Sequence, residues 1–466
     1  MRHLKQAFWL IILLPVFLWF LAEPAVFQSP SFFSLRKVII QLTGIATLCY
    51  MSVAMVLALR PRWPEAWLGG LDKMYRLHKW LGITILLSAV IHWMWARGTK
   101  WAVDWGWITL SAGNGRGQEK KWGWLEHQIC GEQAGSDNGV AVFFHNQHCF
   151  AETAGEWAFY AVVVLIMLAL LKRIPYHRFL KTHRLLAICY LALGFHATTL
   201  MKDSYWLSPV GWLVTVLLVF GSLTAVIAML GKIGAGRQAP GKITALHYFP
   251  GVKALEVEAE VHNWPGHKPG QFVFVTTDTA EGAHPYTLAS SWQEEYPGIT
   301  FIAKELGDHT ALLRTKLHPG QSIRIEGPYG CFTFEDDRHC QIWIGGGIGI
   351  TPFIARMKYL ASIGKTQNWS TEQRIALFHS TADIDEEALD KLAQDASSAH
   401  VQLHTLIDAR DGYLTGERIR ATVPEWRAAS IWFCGPVGFG EALKKDFAAH
   451  GFPVERHFHQ ELFAMR

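Results

Sequence analysis

The sequence predicts a multidomain protein in which a six-helix transmembrane bundle precedes an antiparallel β-barrel and then an α/β domain. Three observations carry this. Nearly all the long apolar runs fall before about residue 231 of the 466. From Gly241 short apolar runs alternate with charge, Gly and Pro. Beyond Cys340 the order becomes strand, glycine turn, helix, strand, the pattern of a parallel sheet. A soft prior of ~150 residues per domain makes one compact domain improbable for this length.

A bilayer core takes ~20 mostly apolar residues per helix. Six runs qualify, at residues 8–27, 38–58, 77–94, 157–171, 180–200 and 209–230. Arg2 and Lys5 precede the first, but it is too long for a signal-peptide core and lacks a small-residue cleavage site, so it reads as an uncleaved anchor. Arg60, Arg62, Lys73, Arg76 and Lys79 lie between the second and third spans, and Lys172, Arg173, Arg178, Lys181 and Arg184 lie between the fourth and fifth. Both loops are therefore expected on the cytoplasmic side of a cell (inner) membrane, with the part after residue 231 cytoplasmic as well. Arg36 and Lys37 run against this orientation. The insert at residues 98–156 is expected outside; it holds His127, His145, His148, Cys130 and Cys149. It reads as a polar loop that a Cys130–Cys149 bond can staple, or as a metal site at His145 and His148.

Formal net charge is only +4 and no Lys/Arg tract is present, which argues against a nucleic-acid partner. The seven cysteines include no C-x-x-C pair, so neither a zinc ribbon nor a thioredoxin-type motif is indicated.

Ionisable residues inside spans are costly and point to function. His78 and His92 fall in the third span, His183 and His196 in the fifth. Each helix has one histidine near its cytoplasmic end and another roughly 20 Å further along. Two b-type haems stacked across the membrane suit this pattern, with His78 and His183 on the inner iron and His92 and His196 on the outer. The alternative is four polar side chains bonded to neighbouring helices. The 13-residue separation of His183 and His196 leaves them on different helix faces, so the fifth span is expected to be kinked, bulged or tilted, with Gly194 the place to look.

In the second half the expected strands are residues 255–261, 272–276, 299–303 and 322–326. The segments Lys268-Pro-Gly-Gln-Phe272, His284-Pro-Tyr-Thr-Leu-Ala-Ser290, Gly345-Gly-Gly-Ile-Gly-Ile-Thr-Pro352 and Cys434-Gly-Pro436 resemble the ferredoxin–NADP reductase family in order and approximate spacing. With the four histidines in front, nearly the whole chain resembles the ferric reductase and NADPH oxidase superfamily. The resemblance implies a ferric reductase-like transmembrane domain over 1–235, an FAD-binding β-barrel over 236–337 and an NAD(P)-binding α/β domain over 338–466. It implies FAD at His284, Pro285, Tyr286, Thr287 and Ser290, with its pyrophosphate near Lys304, Gly307 and Thr310. His284 stands where soluble relatives more often have Arg.

Gly345, Gly346, Gly347 and Gly349, with Thr351 and Pro352 opening a helix, can cradle a dinucleotide pyrophosphate. Gly435 and Pro436 stand at a second strand end. The resemblance places Cys434 near the nicotinamide, although a buried core thiol is its commoner fate, and Phe463 over the flavin. No Arg follows the second strand of the nucleotide domain; the chain runs Leu377-Phe-His-Ser-Thr-Ala-Asp383, so NADH and NADPH both stay open as donors, with His379, Ser380 and Thr381 available to a phosphate. The path implied is NAD(P)H, FAD, inner haem, outer haem, acceptor. The acceptor is a ferric chelate or similar metal, or oxygen reduced to superoxide, or a periplasmic electron-accepting protein.

Overall fold

The computed structural model describes residues 2–24, 32–107, 139–171, 173, 176–278, 281–295, 297–366 and 374–461. The chain divides into two compact units, one of residues 3–61 and 75–233, the other of residues 62–74 and 234–465.

The first unit is helical. Among the described residues, five helices are long and apolar enough to cross a membrane: His3–Ala22, Leu35–Ala58, Leu71–Gly98, Gln147–Leu170 and Pro209–Met229. The chain is thus a multi-pass membrane protein. The six spans expected reduce to five by this criterion because the segment at 180–200 is divided. Helix Tyr176–Arg184 ends, Leu185 forms a turn, and Leu186–Leu200 follows with 15 residues. At 1.5 Å per residue the second piece reaches only ~22 Å, and the first is too basic for a bilayer core. The break stands at Leu185, not at Gly194, which lies within the second piece. The fourth helix begins well before the expected span, at Gly139, and runs 32 residues to Leu170, so the last part of the expected polar insert is helical.

Apolar side chains such as Leu10, Phe17, Leu87 and Leu223 are more than half exposed, as expected where lipid replaces water. Helices meet instead through small and polar residues. Ser52 and Tyr190 hydroxyls bond at 2.8 Å, Thr47 donates to Ser88 at 2.9 Å, and Gly221 leaves room for the Tyr190 phenol. The helix that begins at Leu71 widens into a π-helical turn, Met94–Gly98. Arg36 donates to the Trp95 and Ala96 carbonyls of that turn at 3.1 and 2.8 Å, and to the Thr99 hydroxyl at 2.6 Å. Its charge serves local carbonyls, which accounts for an arginine that runs against the charge bias of the loops.

The second unit holds two sheets. β1 (Gln238–Phe249), β2 (Ala254–Val261), β3 (Phe272–Thr276), β4 (His284–Thr287), β5 (Gly298–Lys304) and β6 (Ser322–Tyr329) form an antiparallel sheet in the order β4-β3-β6-β1-β2-β5. This order is open. The residues just past β4 meet β5 through an isolated bridge, Leu288 with Phe301, and Ala289 N–H donates to Thr300 O at 2.7 Å. The barrel expectation is met as an antiparallel sheet, without paired closing strands. Alternation places Val257, Val273, Ile299, Phe301 and Ile325 in a core at 1% exposure or less. Pro285 is tolerated because β4 is an edge strand.

β7 (Cys340–Gly346), β8 (Arg374–Thr381), β9 (Gln402–Ile407), β10 (Ala429–Cys434) and β11 (Phe458–Gln460) form a wholly parallel sheet in the order β11-β10-β7-β8-β9. Its strands are nearly continuous in burial, as expected where both faces are covered.

Residues 62–74 follow the second span in the chain yet belong to this unit. The reason is Glu65, 6% exposed. Its carboxylate pairs with Arg237 at 3.1 Å and accepts the Gly330 N–H at 2.9 Å. Arg237 also lies 4.5 Å over the Tyr329 ring.

Candidate functional site

The parallel sheet has a topological switch point. From β7 the chain winds through β8 and β9 on one side, then crosses back to β10 and β11 on the other. Ligands of open α/β sheets bind outside the carboxyl ends of the strands at such a point. Here those ends are the two glycine motifs: Gly345 pairs with Cys434 across β7 and β10. A Cβ on Gly346 would come within 2.9 Å of Pro436, one on Gly435 within 3.1 Å of the Gly346 Cα, and one on Gly349 would strike the Cys434 carbonyl. The motifs therefore need glycine for each other, backbone against backbone. Gly347 differs: its φ is +55° and no atom lies within 4 Å of a Cβ there, so its surface is open to a ligand. The Thr351 hydroxyl donates to Ile348 O at 2.8 Å, and Pro352 sits in the first turn of helix Thr351–Thr366, where a missing N–H costs nothing.

The His284–Thr287 motif lies on β4. Tyr286 is buried, with its ring 5.0 Å from Phe301 and its hydroxyl lacking a hydrogen-bond partner. Thr287 is buried beside it. The Ser290 hydroxyl accepts the Thr300 N–H at 2.9 Å and holds the end strands together. Lys304 forms a 2.5 Å ion pair with Asp383 in an apolar cleft that Gly347, Ile348, His379 and Thr381 also line. Gly307 and Thr310 stand apart from that cleft's lining; the Thr310 hydroxyl accepts the Leu306 and Gly307 N–H groups at the start of helix Asp308–Lys316. Phe463, His127 and Cys130 lie outside the described residues, as does the side chain of His145. Cys149 is disulfide-bonded and His148 is exposed.

Cys434 is fully buried, and burial followed by the nearby Glu461 keeps its thiol protonated. Glu461 was not singled out by the sequence. It is buried beside Gly330, one carboxyl oxygen has no hydrogen-bond partner, and desolvation, then Asp72, holds it well above the usual carboxylate range. Its only sequence signal is its place two residues before Phe463.

Two histidines of this unit are kept neutral. His379 donates from Nδ1 to Gly345 O at 3.3 Å, and burial holds its imidazole down at about 4. His267 accepts from Trp264, donates to Ser290 O at 3.0 Å and is held at about 4 by the same cause. An unfolded histidine titrates near ~6.5. Between those values the unfolded chain binds protons that the folded chain refuses, so this stability is whole above about 6.5 and falls as pH drops towards 4. Each histidine contributes on the order of 3 kcal/mol to the drop. Denaturant unfolding at pH 7 and 4.5 should show it, with a shallower fall in His379→Gln; an unchanged slope in that variant would refute the assignment.

In the helical unit the four histidines form two pairs. His78 and His183 have ring centroids 5.9 Å apart, and His92 and His196 6.5 Å apart. A single turn residue, Leu185, stands between the helix of His183 and the helix of His196. Nδ1 donates to Ala54 O at 3.0 Å from His78, to Ile40 O at 3.1 Å from His92 and to Ala151 O at 2.8 Å from His196; Nδ1 of His183 has no hydrogen-bond partner. Three of the four rings are thus fixed in the tautomer that leaves Nε2 as a lone pair. Two glycines make room for the rings: a Cβ on Gly44 would come 3.1 Å from His92, and one on Gly155 would overlap His196. With metal–nitrogen bonds of ~2 Å, two imidazoles that shared one metal ion would have ring centroids roughly 6 Å apart. Both pairs fit a metal ion held between them.

Residues 43–194 match the family described as ferric reductase like transmembrane component, which takes in all of these histidines except His196. Ferric reduction oxidase 4 of Arabidopsis thaliana is 32% identical over 140 residues, 28% of this chain and 20% of that protein. The glycine betaine monooxygenase reductase subunit of Pseudomonas aeruginosa is 27% identical over 213 residues, 42% of this chain and 56% of that one. The chain spans little more than half the length of that relative. Among solved structures, the flavohemoglobin of Malassezia yamatoensis is 17% identical, with a TM-score of 0.44, over 73% of this chain and 91% of that one. Residues 43–194 are thus similar to ferric reductase-like transmembrane components, and the same chain is similar over about two fifths of its length to a monooxygenase reductase subunit and to flavohemoproteins.

Proposed function

We propose that the protein is an NAD(P)H-dependent transmembrane oxidoreductase that moves electrons through FAD and two b-type haems to ferric iron or a similar metal acceptor. The observation that carries this reading is the pair of facing histidine couples, with Gly44 and Gly155 of neighbouring helices clearing space for the His92 and His196 rings. When bound, flavin accepts hydride and haem iron takes single electrons, the chemistry that side chains lack.

The chain's own part is placement. His78 with His183, and His92 with His196, would hold the irons, and the Ala54, Ile40 and Ala151 carbonyls orient three of the four rings. His284, Pro285, Tyr286, Thr287 and Ser290, with Lys304, Gly307 and Thr310, would hold FAD within 236–337. The Tyr286 hydroxyl, buried without a partner, is a group for a bound flavin to satisfy. Gly345, Gly346, Gly347, Gly349, Thr351, Pro352, Gly435 and Pro436 would hold the nicotinamide nucleotide within 338–466, at the switch point. Burial pushes both the Cys434 thiol and the neighbouring Glu461 carboxyl up, which disfavours a negative charge on either. Phe463 would cover the flavin. The Lys/Arg-rich loops favour an inner-membrane protein with the reductase module in the cytoplasm.

The test is an anaerobic spectrum of the purified protein with NADH or NADPH, followed by a ferric chelate. Two b haems per chain should reduce and then reoxidise with the chelate. Absence of haem, or haem that stays oxidised, would leave the reading without support.

A further inference from the structure

We infer that the nucleotide site selects NADH over NADPH, and that Asp408, oriented by Ser380, is the selecting group. The inference rests on the nucleotide site proposed at the β7–β10 switch point.

β8 follows the glycine loop and its helix, so its carboxyl end is where such folds meet the ribose of the adenosine half. A carboxylate there accepts a hydrogen bond from a ribose 2′-hydroxyl, whereas a 2′-phosphate requires cations. The residues available to a phosphate at this end are all engaged. His379 is buried, with Nδ1 on Gly345 O. The Thr381 hydroxyl donates to Asp383 O at 3.0 Å and accepts the Asp383 N–H at 3.2 Å. The Ser380 hydroxyl donates to Asp408 Oδ1 at 3.1 Å. The next position is the exposed Ala382, with no charge to offer.

Two neighbouring cations are paired as well. Lys304 is paired with Asp383 at 2.5 Å. Arg410, two residues past Asp408, turns Nε and NH2 onto Asp411 at 3.0 Å each. Asp408 itself is half-buried at the carboxyl end of β9, which pairs in parallel with β8. Ser380 holds one of its oxygens and leaves the other to accept a ribose hydroxyl. A 2′-phosphate would meet that carboxylate while Arg410, the nearest guanidinium along the chain among the described residues, is turned onto Asp411.

The experiment titrates ADP-ribose and 2′-phospho-ADP-ribose calorimetrically onto the full-length protein in detergent. ADP-ribose should bind at least about tenfold more tightly, and Asp408→Asn should cut that ratio by about fivefold. A second measurement uses the unaltered protein. As ionic strength rises from about 0.05 to about 0.5 M, the phosphorylated ligand should gain affinity relative to the other, because screening weakens repulsion. A ratio at or below one, a ratio that Asp408→Asn does not move, or a phosphorylated ligand that loses relative affinity in salt overturns the inference. If neither ligand binds, the switch-point reading falls with it; if only the ratio is wrong, that reading stands.

Discussion

His196→Ala is expected to lower the haem content from two per chain to one. The side chain supplies one of two facing rings at its site, and alanine leaves no lone pair within reach of the space it vacates. His92→Ala should have the same effect on the same haem, so the double variant should be no worse than either single one. His78→Ala or His183→Ala should remove the other haem, and His78→Ala with His196→Ala should remove both. The measurement is haem per chain by pyridine haemochrome, with flavin per chain as a check on the reductase unit. Full haem content in His196→Ala would sink the pairing, and a different grouping of losses would redraw it.

The second large effect is expected at Glu65. Its side chain and that of Arg237 are 8% and 11% exposed, so removing the carboxylate leaves a guanidinium buried without its partner and the Gly330 N–H without an acceptor. Breaking a buried pair from one side costs about 3–5 kcal/mol. Glu65→Ala should therefore lower the unfolding free energy of the second unit by that order. Glu65→Gln should cost less, because the amide oxygen still accepts from Gly330. The double variant with Arg237→Ala should lose less than the sum of the two single ones. A loss within about 0.5 kcal/mol, as at an ordinary surface site, would show that the pair holds nothing.

Much of this was legible in the sequence because it follows from period and chemistry. His78 and His92 are 14 residues apart, near four full turns, and the strand alternation around Val257 and Phe301 is plain. The glycine motifs were legible as a pair only because both follow apolar strands. Other features depended on contacts that no local pattern encodes. The break at Leu185 carries no Pro or Gly, and it became necessary only from the 13-residue spacing. β1 went unread because Pro240 and Gly241 fall at its start, where they look like a turn. Arg36 read as a topological signal until the π-helical carbonyls that it satisfies were seen. Glu461 is a functional candidate through burial alone, which tertiary packing decides.

Glu65 also bears on what counts as a domain here. A boundary drawn at 235 and 236 divides the chain by composition alone. Yet the folded unit recruits residues 62–74, the stretch after the second membrane helix together with the first turn of the next, and those residues supply the anion for a buried cation. The module is therefore discontinuous in sequence. Cutting the polypeptide after residue 233 would separate two stretches of chain without separating two folding units. The piece so released would carry Arg237 without its Glu65 partner.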